Sequence, residues 1–128
     1  MQLLLDTHSF LWFASGNDKL SQRAKEAIAD TNNAAYLSTA NLWEMAIKIN
    51  IGKLELPKPL GALISEQMRE NEFEMLRSEI AHFETYTGLP LHHRDPFDRM
   101  MIAQAQIEDL QVVSKDEAFE EYDIELLW

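Results

Sequence analysis

A chain of 128 residues with 46% hydrophobic and 26% charged residues has material for one buried core but not for two. Its 22 acids against 11 Lys and Arg give a formal net charge of −11, which excludes binding to nucleic acid by general electrostatics. It leaves room for a site presenting metal and a few cations to phosphate at one spot. The absence of cysteine excludes disulfides and thiolate zinc sites, and the apolar run Leu3 to Leu5 is too short for a signal peptide or membrane span, so the expected location is cytoplasmic.

Strand and helix signals alternate along the chain. Residues 2–6 read as a short buried strand, and residues 7–14 as a helix closed by Ser15-Gly16-Asn17. Ser21 caps a second helix over residues 22–29, with Ala24, Ala27 and Ile28 on one side. Ala35-Tyr36-Leu37 is a second strand, and Ser38 or Thr39 caps a third helix running to about Asn50. Leu42, Trp43, Met45, Ala46, Ile47 and Ile49 leave that helix almost no polar face, so it is expected to be buried nearly all round. Gly52 ends it, and a proline-bounded connector leads to an amphipathic helix over residues 60–70. Residues 73–76 alternate like a strand, and residues 80–87 are helical up to Gly88-Leu89-Pro90. A loop dense in His, Arg and Asp precedes a helix from Pro96 or Phe97 to about Glu108. A strand over residues 111–114, a helical turn near Ala118-Phe119 and a closing strand over residues 124–127 complete the chain.

This alternation predicts one α/β domain with a mainly parallel central sheet covered by helices on both faces. In such sheets ligands sit beyond the carboxyl ends of the strands, where Asp6 and Asp116 fall. Glu44 and Asp98 stand early in helices that could flank the same edge. Each acid has a plainer explanation. Asp6 can cap the helix that follows it, and Glu44 can pair with Lys48 one turn on. Asp98 can complement a helix dipole, although Asp95 before Pro96 suits the cap position better and leaves Asp98 free to turn inward. Asp116 can cap a short polar turn. Four acids from four segments near one sheet edge nevertheless point to a divalent cation, and an acid-only set points to Mg²⁺ or Mn²⁺.

Cations are few. His92, His93, Arg94 and Arg99 crowd around Asp95 and Asp98, and Lys48 lies beyond Glu44. Arg94, Arg99 and Lys48 are candidates for substrate phosphate, with local ion pairing as the alternative. A His ligand to metal is open, although the paired His92-His93 without a matching downstream His is a poor zinc motif. Trp12, Trp43 and Trp128 suit a core or an interface better than base stacking.

The stretches Leu3-Leu4-Leu5-Asp6-Thr7-His8, Leu42-Trp43-Glu44-Met45-Ala46-Ile47-Lys48 and His92-His93-Arg94-Asp95-Pro96-Phe97-Asp98-Arg99 together resemble the PIN-domain family, specifically its VapC-type toxins. Ser114-Lys115-Asp116 with Phe119 and Tyr122, and the ending Leu126-Leu127-Trp128, extend the resemblance over essentially the whole chain. It implies a PIN fold with about four or five strands, and a Mg²⁺- or Mn²⁺-dependent endoribonuclease. Asp6, Glu44, Asp98 and Asp116 would form the acidic site, with Asp6 and Asp98 as direct ligands and Glu44 and Asp116 completing the shell through water. Thr7 and Ser114 would support the ligands. The resemblance also implies RNA as substrate, a cognate antitoxin and a homodimer as partners, and no membrane. The alternative from a different class is a non-catalytic PIN-like interaction module whose acids are structural. A haloacid-dehalogenase-like phosphatase would want an Asp where His8 stands, and a receiver domain would want an acidic pair that is absent.

Overall fold

The computed structural model describes residues 1–128. Its five strands are β1 (Gln2–Leu5), β2 (Ala34–Ser38), β3 (Glu74–Leu76), β4 (Gln111–Val113) and β5 (Leu126–Leu127). They form one parallel sheet in the order β3-β2-β1-β4-β5. The helices are α1 (Thr7–Ser15), α2 (Gln22–Ala29), α3 (Thr39–Asn50), α4 (Leu60–Asn71), α5 (Ile80–Thr87) and α6 (Pro96–Glu108), with a 3-10 helix at Glu117–Glu121. The expected α/β architecture and mainly parallel sheet are both found. The outer strands are shorter than the sequence suggests.

Alternation along the strands divides the core into two layers. Leu3, Leu5, Leu37 and Val113 meet Phe10 of α1, Ala24 and Ile28 of α2 and Ile64 of α4 on one face. Leu4 and Val112 meet Met101, Ile102 and Ala105 of α6, with Phe119 and Tyr122, on the other. Leu3, Leu4 and Leu5 are therefore buried on both sides, as a central parallel strand requires. Trp12 and Trp128 pack against the first layer with ring centroids 6.0 Å apart.

The expectation that α3 is buried all round is not met. Only Ala40, Asn41, Glu44 and Met45 are buried, whereas Trp43 is 66% exposed and Ile47 and Ile49 also reach solvent. One edge of α3 faces the sheet and α6, so its apolar residues are divided between core and surface.

The strand order places the site. From β1 the chain adds β2 and β3 on one side, then returns to add β4 and β5 on the other. The reversal opens a crevice between the carboxyl ends of β1 and β4, where the segments 6–9 and 114–117 leave the sheet.

Candidate active site

Asp6 leaves β1 as the N-cap of α1. Its Oδ1 accepts the Ser9 backbone N–H at 2.8 Å, and its Oδ2 accepts the Ser114 hydroxyl at 2.5 Å from beyond β4. Capping and site membership are thus one geometry. Burial pushes the Asp6 carboxyl above its ordinary value of 3.8, against the hydrogen bonds from Ser114 and Ser9.

Asp98 arrives from α6. Asp95 takes the cap, accepting the backbone N–H groups of Phe97 and Asp98 at 2.8 and 3.0 Å, with Pro96 in the first turn. Asp98 is left facing the crevice. Its carboxyl is pushed up to about 7, first by burial and next by the charge of Asp95, with a smaller push from Asp6; His93 opposes the shift.

Asp116 caps the 3-10 helix by accepting the Ala118 N–H at 2.9 Å, and its own N–H donates to Ser114 Oγ at 3.0 Å. Ser114 therefore bridges Asp6 and Asp116. The second Asp116 oxygen lies 3.4 Å from His93 Nε2, which is 2.8 Å from Asp98 Oδ2.

Glu44 is buried and joins through hydroxyl and amide links. Thr7 donates to Glu44 Oε1 at 2.7 Å and accepts from Asn41 Nδ2 at 3.0 Å, while Lys48 contacts Glu44 Oε2 at 2.7 Å. The Lys48 pairing and inward placement of Glu44 coexist. The structure brings Asp6, Asp98 and Asp116 together through Ser114 and His93, and ties Glu44 to them through Thr7.

Arg99 corrects the expectation of a phosphate-binding side chain. It is buried, and its guanidinium donates to the Pro90 and His93 carbonyls at 2.8 and 3.3 Å and to the Tyr122 hydroxyl at 3.2 Å, beneath the Tyr86 ring. Its donors are committed to the loop ahead of α6. Arg94 is exposed on that loop, and Lys48 is partly exposed beside Glu44. Sequence reasoning placed His93 near Asp98 without a direction, gave Tyr122 no role and passed over Asn41. His93 lies five residues before Asp98 in an irregular loop, where spacing carries no direction. Asn41 had a signal, because its Oδ1 accepts the Ser38 N–H in the capping arrangement of α3.

The donor chemistry fits a hard divalent cation. A buried carboxylate from β1 and a partly buried one from α6 converge with their ionised forms disfavoured, and a cation at that point would reverse the penalty. Such an arrangement can hold a cation against a phosphate and hold water beside it.

A stretch of 55 residues is 34% identical to the Mycobacterium tuberculosis protein named Ribonuclease VapC16, covering 43% of this chain and 39% of that protein. The chain thus spans well under two thirds of that relative's length. Among solved structures, a Rickettsia felis VapBC2 complex bound to a promoter DNA fragment superposes with a TM-score of 0.73 at 16% identity, over 100% of this chain and 99% of the other. A DNA-bound VapBC from Salmonella typhimurium gives 0.70 at 19% identity, over 99% and 97%. These likenesses show the fold. The PIN domain family model matches residues 3–125, running through every segment that carries a carboxylate to the crevice, and the chain therefore belongs to the PIN domain family.

Proposed function

We propose that this chain is a divalent-metal-dependent endoribonuclease, the toxin of a toxin–antitoxin pair, which hydrolyses RNA phosphodiester bonds at Asp6, Glu44, Asp98 and Asp116. The observation that carries the reading is the convergence of Asp6 and Asp98 from separate elements, both with carboxyls raised by burial. A divalent cation, Mg²⁺ or Mn²⁺, supplies Lewis acidity toward a phosphoryl oxygen and makes water nucleophilic near neutral pH. Asp6 and Asp98 hold the cation directly. Ser114 and Ser9 orient Asp6 and favour its ionised form through their hydrogen bonds. Glu44, steadied by Thr7 and Lys48, and Asp116, steadied by Ser114, would complete the shell through water or by orienting the nucleophile. Lys48 and Arg94 meet the flanking phosphates.

The identity shared with a protein named a ribonuclease supports the activity, and the likeness to VapBC complexes supports an antitoxin partner. A net charge of −11 suits a basic antitoxin segment laid over the acidic groove. A homodimer follows from the family resemblance, and no helix is long and apolar enough to cross a membrane.

The test is RNA cleavage by the purified chain with Mn²⁺, with Mg²⁺ and with chelator, beside Asp98→Asn. Metal-dependent cuts at discrete positions, lost in the variant, are the expected result. Cutting that persists in the variant, or the absence of both cutting and Mn²⁺ binding, would overturn the reading.

A further inference from the structure

The loop ahead of α6 is built around one imidazole. The His93 backbone N–H donates to the Tyr122 hydroxyl at 2.9 Å, and its carbonyl accepts from Arg99 at 3.3 Å. Its ring meets Phe119 edge-on, with centroids 5.9 Å apart and planes at 88°. Arg99, a buried cation, uses its donors on the carbonyls of residues 90 and 93 and on Tyr122, which shapes this one turn. His93 Nε2 is thereby aimed at the crevice, 2.8 Å from Asp98 Oδ2 and 3.4 Å from Asp116 Oδ2.

We infer that His93 supplies a nitrogen ligand to the cation at Asp98, on the side where Asp116 also faces it, so that the site is a mixed imidazole–carboxylate centre preferring Mn²⁺ to Mg²⁺. The inference rests on the metal-dependent reading above and deepens it. One donor atom from each of the three residues lies within 4.8 Å of the other two. Adjacent donors about 2.1 Å from an octahedral cation stand about 3 Å apart, a value that the two His93 spacings of 2.8 and 3.4 Å bracket.

Imidazole is a softer donor than carboxylate. Mg²⁺ takes oxygen ligands and keeps its water, whereas Mn²⁺ and the later divalent ions gain from a nitrogen. Replacing one oxygen by Nε2 therefore handicaps Mg²⁺ selectively. The other histidines are committed elsewhere. His8 stacks on Trp12, His82 is buried between the Glu79 backbone N–H and Glu108, and His92 faces Glu121 and the Tyr122 ring.

The experiment uses the full chain with Mn²⁺ alone and Mg²⁺ alone, without RNA. Pulsed electron paramagnetic resonance of the Mn²⁺-loaded protein reads whether an imidazole nitrogen is coordinated, and calorimetric titration reads the Mn²⁺/Mg²⁺ affinity ratio. Nitrogen coupling is expected in the wild type and lost in His93→Gln, with the affinity ratio falling about tenfold, the lower end of what loss of even an outer-shell partner costs a metal site. The wild-type spectrum needs no variant to fold, and far-ultraviolet circular dichroism checks His93→Gln. Mn²⁺ bound with no nitrogen coupling would overturn the ligand role, leaving His93 as a hydrogen-bond partner of Asp98 and the all-oxygen site intact. Coupling that survives His93→Gln would assign the nitrogen to another histidine and also overturn it. Failure of the wild type to bind Mn²⁺ at all would instead remove the metal-dependent reading itself.

Discussion

Asp98 makes the cation-free protein sensitive to pH. Its folded value of about 7 lies above the ordinary 3.8, so its contribution to stability is fully present below about pH 4 and is lost as pH rises through 7. The slope reaches at most about 1.4 kcal/mol per pH unit. Asp6 shifts in the same direction, also through burial. Asp98→Asn is therefore expected to flatten this slope and to melt at higher temperature than wild type above neutral pH, measured in chelator; a clear fall in melting temperature would count against a strained acid cluster. Arg99 has the opposite character, because its removal strands the His93 and Leu89 carbonyls, whereas the Pro90 carbonyl and the Tyr122 hydroxyl keep their bond to each other. Arg99→Lys should cost about 2–4 kcal/mol in urea denaturation, since a single ammonium cannot reproduce the planar fork. It should also weaken Mn²⁺ binding by releasing His93, whereas unchanged binding would separate the loop from the site.

The helices reach the crevice by their N-termini. α1 begins at Asp6 and α6 at Asp95, while the 3-10 helix begins at Asp116, so three carboxylates cap elements and two of them also face the site. Asp95 is the separable one. Asp95→Ala removes the cap of α6 and should cost about 1 kcal/mol, while Asp95→Asn keeps a capping oxygen and removes the charge that raises Asp98. The Asn variant is thus expected to equal or exceed wild type in stability and to lower the pH at which Asp98 titrates, read by following its carboxyl resonance. An Asp98 titration unchanged in Asp95→Asn would mean that the Asp95 charge has no influence on Asp98. α3 shows the limit of patterning at this scale. Its apolar residues cover more than one face, and only contact with β2 and α6 selects which are buried.

At the scale of the whole molecule, the chain carries 22 acids although the proposed substrate is itself an anionic polymer. With Lys48 and Arg94 as the phosphate contacts, a plot of log affinity for single-stranded RNA against log salt should have a shallow slope of about −1.4. A much steeper slope would require a basic surface that this chain does not carry as a monomer. The parallel sheet determines where the opposed charges meet. Reversal of strand order at β1 brings residue 6 beside residue 114 although 108 positions separate them in sequence. Nothing local to either segment encodes that approach.

Periodicity and turn chemistry sufficed for the alternating elements, the buried character of β1 and the caps at Ser21, Ser38 and Asp95, because these depend on neighbours a few residues away. Each carboxylate could also be singled out locally, as an acid where neighbouring residues favour burial. The facing of Arg99 and His93 was decided only in three dimensions. Both sit in or beside an irregular loop whose path is set by the Tyr122 hydroxyl, the Phe119 ring and the carbonyls of residues 90 and 93. The same holds for the exposed Trp43, Ile47 and Ile49 of α3. A side chain's type and its local period follow from the sequence, but its direction depends on which distant groups can satisfy it once buried.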